Sequence, residues 1–149
     1  MPPESDLIKL YSGKILKMAA EPIYRERLSE PDASVTKRSP LCGSAITVDL
    51  NVESGVITHY GQEVRACALG QASSTIIGKA IVGRSLTEVQ RAYEELSEML
   101  KNKGPTPSKP FEELYMLQPA SEYKNRHASI LLAIEATLAA FQQIEKNDC

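Results

Sequence analysis

The spacing of hydrophobic positions changes period twice along this chain, and the changes mark out its elements. Leu7, Ile8, Tyr11, Ile15, Met18 and Ala19 recur at three- and four-residue intervals, which predicts a helix over 6–20 with Ser5 as its N-cap. Residues 29–40, SEPDASVTKRSP, read as loop with a short strand around 34–37. Over 45–52 the alternation is clean: Ile46, Val48, Leu50 and Val52 face one side, and Thr47, Asp49 and Asn51 the other. Glu53, Ser54 and Gly55 make a turn, and 56–64 returns as the second strand of an antiparallel hairpin. After Cys67 the period becomes helical, with Ala68, Leu69, Ala72, Ile76, Ile77, Ala80 and Ile81 on one stripe that ends near Gly83. Ser85 and Glu88 then form a capping box, and Leu86, Val89, Tyr93, Leu96 and Leu100 carry a second helix to about Asn102.

The proline-rich GPTPSKP at 104–110 breaks that helix and leads into a short apolar piece at 111–117. A last helix is expected from about Ser121 to about Glu145, with His127, Leu131, Ile134, Leu138 and Phe141 on one face. A helix, a hairpin and then helices predict an α+β fold, a small antiparallel sheet of about three strands with helices packed on one face. At 149 residues the chain fits one domain, 1–149, with room for a real core.

Charge removes several function classes. The net charge is −2, from 17 basic and 19 acidic residues, and the densest basic run is Lys37-Arg38. Neither nucleic acid nor an anionic membrane is expected as a partner. No stretch approaches 18 apolar residues and the first residues, MPPESDL, resemble no targeting segment, so a cytoplasmic protein is expected. Cysteines at 42, 67 and 149 are odd in number and widely spaced, which argues against a disulfide framework.

Three residues stand out as chemistry. Cys42 precedes the hairpin and Cys67 follows it, 12 and 13 residues from the turn at Ser54, so both thiols should emerge at the same end of the hairpin. Cys67 also opens a helix, where unpaired N–H groups favour thiolate. His127 lies near the start of the last helix, where the same field favours a neutral, metal-competent ring. Two thiolates and an imidazole form a soft donor set suited to zinc or to an iron–sulfur cluster. Against this, a single cysteine is usually inert filler and a single histidine on an apolar face usually a hydrogen-bonded core residue. Cys149 is terminal, His59 sits on a strand among polar neighbours, and Gly78-Lys79 lacks the spacing of a phosphate loop. An enzyme using Cys42 as nucleophile would need an orienting partner and an oxyanion site, and neither is evident, so no enzymatic activity is expected.

The stretch SPLCGSAITVDLNVESGVITHYGQEVRACALGQASSTIIGKAIVGRSLTEV closely resembles the U-type iron–sulfur cluster scaffold proteins, the group containing IscU, SufU and the N-terminal domain of NifU. PLCG, the hairpin, CA before a serine-rich helix start and GR-S-x-x-E match in order, and NRHASILLAIEAT resembles the family's last helix. The resemblance covers about 7–143 and implies an α+β scaffold that assembles a [2Fe–2S] cluster with sulfur from a cysteine desulfurase and passes it to acceptor apo-proteins or carriers. The long spacing from Cys67 to His127 is closer to the SufU-like branch, whose members act as zinc-bound sulfur acceptors. Two positions depart from the pattern: Ser44 stands where the family has an aspartate, and Ala128 where it has a third cysteine. LQPASEYK also lacks the family's chaperone-binding element, so that partner is not carried over.

The resemblance therefore leaves Cys42, Cys67 and His127 as the metal site, with Ser44 as a candidate fourth position. Three ligands suit zinc, or an empty resting site, better than a cluster, which takes four unless Ser44 or a second subunit of a homo-oligomer completes it. The alternative is a non-assembling relative, a structural or regulatory interaction protein whose metal site has decayed.

Overall fold

The computed structural model describes residues 13–20, 26–39 and 43–147. The alternating stretch forms the central strand of a three-stranded antiparallel sheet, β1 (Ala33–Arg38), β2 (Ala45–Glu53) and β3 (Val56–Arg65), in spatial order β1-β2-β3. The strand expected around 34–37 is thus real and pairs in the register Ser34↔Asp49, with Arg38↔Ala45 at its end. β2 and β3 meet through a turn with Ser54 and Gly55 at positive φ, and their register slips once, between Asn51 and Val52. The slip leaves Thr58 as an extra residue, a bulge of the kind that increases local twist.

Four α-helices accompany the sheet: α1 (Gly13–Ala20), α2 (Ala68–Ile81), α3 (Leu86–Asn102) and α4 (Lys124–Asn147). Residues 6–12 and the expected cap Ser5 lie outside the described residues, as do Cys42 and Cys149. Ile46, Val48 and Leu50 are fully buried, and α4 packs against β1 and β2 while α2 packs against β3. One core results, joining those strand residues to Leu69, Ile76 and Ile77 of α2, Leu96 of α3 and Ile130, Ile134 and Phe141 of α4. α3 begins with the capping box read from the sequence: the Glu88 N–H donates to Ser85 Oγ and the Ser85 N–H to the Glu88 carboxylate.

The last helix starts later than its pattern suggests. Glu112–Glu122 forms a 3-10 helix that extends the apolar piece at 111–117 through Pro119, and α4 begins only at Lys124. Ser121 therefore lies in the 3-10 helix and not in α4; Tyr123 intervenes in a non-helical conformation, its N–H bonded to the Ala120 carbonyl.

The polar side of β2 holds a feature that alternation does not show. Asp49 is completely buried, receiving Arg27 Nε at 2.7 Å, Ser34 Oγ at 2.6 Å and the Leu28 N–H at 2.9 Å. Burial by itself would raise its pKa, but the Arg27, Ser34 and Leu28 hydrogen bonds together hold it below the ordinary carboxylate range. The segment before β1 is thereby pinned across the sheet.

Candidate functional site

The site is built from one end of the hairpin. The last β2–β3 pair is Ala45↔Arg65, so Gly43 and Cys67 each lie two residues beyond the same end of the hairpin. The bulge shifts this by one from a symmetric count about the turn. Ser39 is tied to residues 43 and 44: the Ser39 N–H donates to the Ser44 carbonyl at 2.8 Å, and the Gly43 N–H donates to the Ser39 carbonyl at 3.1 Å. Gly43 takes φ +71°, a left-handed conformation that strains residues with a Cβ. Cys42, its chain neighbour, lies outside the described residues.

Cys67 occupies the N-cap position of α2 in extended conformation and is partly buried. Its sulfur makes no formal capping bond, yet it sits in the field of the helix's first N–H groups. Burial pushes the thiol pKa up, but the Gly70 and Leu69 N–H groups, the Ser129 hydroxyl and the Arg126 charge outweigh it, so the net direction is down.

Ser129 is the residue sequence reasoning missed. It is fully buried on α4, with its Oγ 3.6 Å from Cys67 Sγ and 3.1 Å from Ser44 Oγ. Ser44 is itself buried, and the Ser129 hydroxyl is within reach of both it and the Cys67 sulfur. α2 and α4 come this close because residue 70 is glycine: a Cβ there would stand 2.6 Å from Ser129 Oγ and 2.7 Å from the Ala66 Cβ. No local pattern could announce a contact between residues 62 apart; only the small residues Gly70 and Ser129 hint at close helix approach.

His127 is presented from the first turn of α4 and is 7% exposed. Its Nε2 donates to the Ala120 carbonyl at 2.9 Å, which in the neutral ring leaves the lone pair on Nδ1. An anchored imidazole of this kind is how histidine ligands are normally oriented, and Cys67, its pKa lowered, is the matching soft donor. His127 opens with Ala128 onto a cleft between the end of α3 and α4, whereas Ser129 leaves the helix on another side to meet Cys67. Among the described residues no three His, Cys, Asp or Glu side chains gather into a group able to hold a metal ion. The expected trio includes Cys42, outside them. His59 is exposed on β3, its Nδ1 3.3 Å from Thr58 Oγ1. No helix among the described residues is long and apolar enough to cross a membrane.

The arrangement has known relatives. The family model for the NifU-like N-terminal domain matches residues 10–144. The chain is 25% identical over 137 residues to the iron–sulfur cluster assembly scaffold protein IscU of Thermotoga maritima, covering 92% of this chain and 96% of that one. Its counterpart of the same name from Streptococcus pyogenes is 23% identical over 139 residues, covering 93% and 87%. Among solved structures, the N-terminal part of a nitrogen-fixing NifU-like protein from Brucella abortus superposes with a TM-score of 0.93 at 39% identity, covering 95% of this chain and 98% of that one. A putative iron–sulfur scaffold of the SUF system from Fervidobacterium islandicum shares the fold, with a TM-score of 0.81 at 17% identity over 90% of this chain and 98% of its own. With its three-stranded sheet, its helices and a match over nearly its whole length, the chain belongs to the family of NifU-like N-terminal domains, the U-type iron–sulfur scaffold group that its motifs resemble.

Proposed function

We propose that the chain works as an iron–sulfur cluster assembly scaffold or sulfur acceptor, holding metal through Cys42, Cys67 and His127. The observation that carries this reading is Cys67. Its pKa is lowered at the head of α2, and it lies two residues beyond the same end of the hairpin as Gly43, the neighbour of Cys42. The anchored His127 ring supplies a third donor from the start of α4. Zinc held by this set would keep both sulfurs deprotonated and leave one position open to an incoming group. A [2Fe–2S] cluster, as cargo, needs a fourth ligand. Ser44 is a poor source for it while its hydroxyl is buried against Ser129, so the resting protein holds zinc or nothing. A cysteine desulfurase in the cytoplasm supplies the sulfur, and an apo-protein or carrier receives the product.

The test incubates the protein with a cysteine desulfurase, cysteine and ferrous iron, and measures sulfur bound to the re-isolated chain. Bound sulfur in the native chain, lost in Cys42→Ser and Cys67→Ser, is the expected result. Equal sulfur in all three would overturn the reading in favour of a non-assembling relative.

A further inference from the structure

The hydroxyl of Ser129 does not behave as other buried helix hydroxyls in this chain do. A serine or threonine enclosed in a helix commonly satisfies its proton on its own helix, at the carbonyl four residues back. Ser74 does so with the Gly70 carbonyl at 2.8 Å, and Thr137 with that of Ala133 at 2.7 Å. Ser129 is just as buried, yet its hydrogen-bond partners among the described residues are Ser44 Oγ, just ahead of β2, and Cys67 Sγ at the head of α2. Its backbone is fixed as well. The carbonyl of the next residue, Ile130, accepts from Ser73 Oγ at 2.7 Å, and Gly70 lets α2 close against Ser129 itself.

Counting protons gives the direction of these bonds. A serine hydroxyl has one proton to donate and two lone pairs to accept with. A sulfur that carries a metal ion or a second sulfur atom has no proton to give. In that state the Ser129 proton goes to Cys67, and the Ser44 hydroxyl donates to Ser129. The N–H groups of Leu69 and Gly70 act on the same sulfur from its own helix, so Ser129 adds a donor from a second element. A hydrogen bond is directional in a way that a nearby charge such as Arg126 is not. We propose that Ser129 is a positioning residue for Cys67, its hydroxyl steadied by Ser44 and aimed at the sulfur, so that Cys67 meets an incoming metal ion or sulfur atom in one orientation. The proposal rests on the reading that Cys67 holds metal or sulfur, and it gives Ser44 the task of supporting Ser129 in place of a ligand position.

The test loads the full chain with cobalt(II) in place of zinc and records the sulfur-to-metal charge-transfer absorption. A hydrogen bond draws charge from a thiolate, so its loss moves that absorption to longer wavelength. Ser129→Ala should show this shift and bind cobalt about tenfold more weakly, as loss of a partner that supports a ligand does. Ser44→Ala keeps the Ser129 hydroxyl but not its hold, and should shift the band the same way by less; it carries the test if Ser129→Ala fails to fold by circular dichroism. Ser73→Ala removes an α2–α4 hydrogen bond without touching the sulfur, and should leave band and affinity unchanged. An equal shift in Ser73→Ala, or no shift in the folded variants at 129 and 44, would overturn the proposal. A native chain with no sulfur-to-cobalt absorption would refute the metal reading alone. Alkylation of Cys67 in a Cys42→Ser/Cys149→Ser background, where it is the one remaining thiol, then decides the role of Ser129. A rate severalfold slower at neutral pH with Ser129→Ala than with Ser73→Ala supports the assignment, and equal rates overturn it.

Discussion

Two buried side chains, Asp49 and Ser129, decide much of what this chain can do, and both are set by partners distant in sequence. Asp49 on β2 is the charge to which the segment carrying Arg27 is tied. Because its folded pKa lies below the unfolded value of about 3.9, its contribution is fully present above that value. The contribution is lost as pH falls from about 4 through the lowered folded pKa. Asp49→Asn should therefore be markedly less stable than the native chain at pH 7, and the gap should narrow below about pH 4; urea unfolding across pH measures both. Ser129 acts on chemistry instead, as the only described side chain within hydrogen-bonding distance of the Cys67 sulfur. Neither role was legible in the sequence. Asp49 reads there as one more solvent-side residue of an alternating strand, and Ser129 as a polar interruption in an apolar helix. Cys67 was legible, because its position at a change of period is local information.

At the scale of elements, what the sequence discloses depends on how local the cause is. The hairpin and the α3 start follow from alternation and from a capping box spanning four residues, and both form as read. The start of α4 does not, because what precedes it is 3-10 backbone, whose tighter spacing mimics an α-helical apolar pattern over so short a stretch. The consequence reaches the site, since it is the Ala120 carbonyl of that 3-10 helix that anchors His127. The α2–α4 contact can be tested directly. Ala normally stabilises a helix interior over Gly by about 1 kcal/mol, but at position 70 the added Cβ meets Ser129 and Ala66 at distances no side chain adopts. Gly70→Ala should be destabilising by about 1–3 kcal/mol in chemical denaturation, and it should slow alkylation of Cys67 as Ser129 is displaced. A stabilised variant would show that the helices separate freely.

On the scale of the whole molecule, Cys67 at the end of the hairpin meets α4 through Ser129, while His127 lines a cleft on another side of that helix. The hairpin delivers Cys67 and the neighbour of Cys42, α2 supplies N–H groups, and the start of α4 supplies His127 and Ser129. The fold class was legible throughout, since hydrophobic period alone separates strands from helices. The family was legible from motifs that span the hairpin and α2. The ligand set is the part on which motif and geometry bear least, because Ser44 and Ala128 stand where the family pattern has other residues, and Ser44 is turned into a buried hydroxyl pair.

The X-ray absorption spectrum of the zinc-loaded protein tests that ligand set most directly. Two sulfurs at about 2.3 Å and one imidazole nitrogen at about 2.0–2.1 Å, with the remaining position taken by a light atom, is the predicted first shell. A shell with fewer than two sulfurs, or one without imidazole scattering, would contradict the assignment of Cys42, Cys67 and His127.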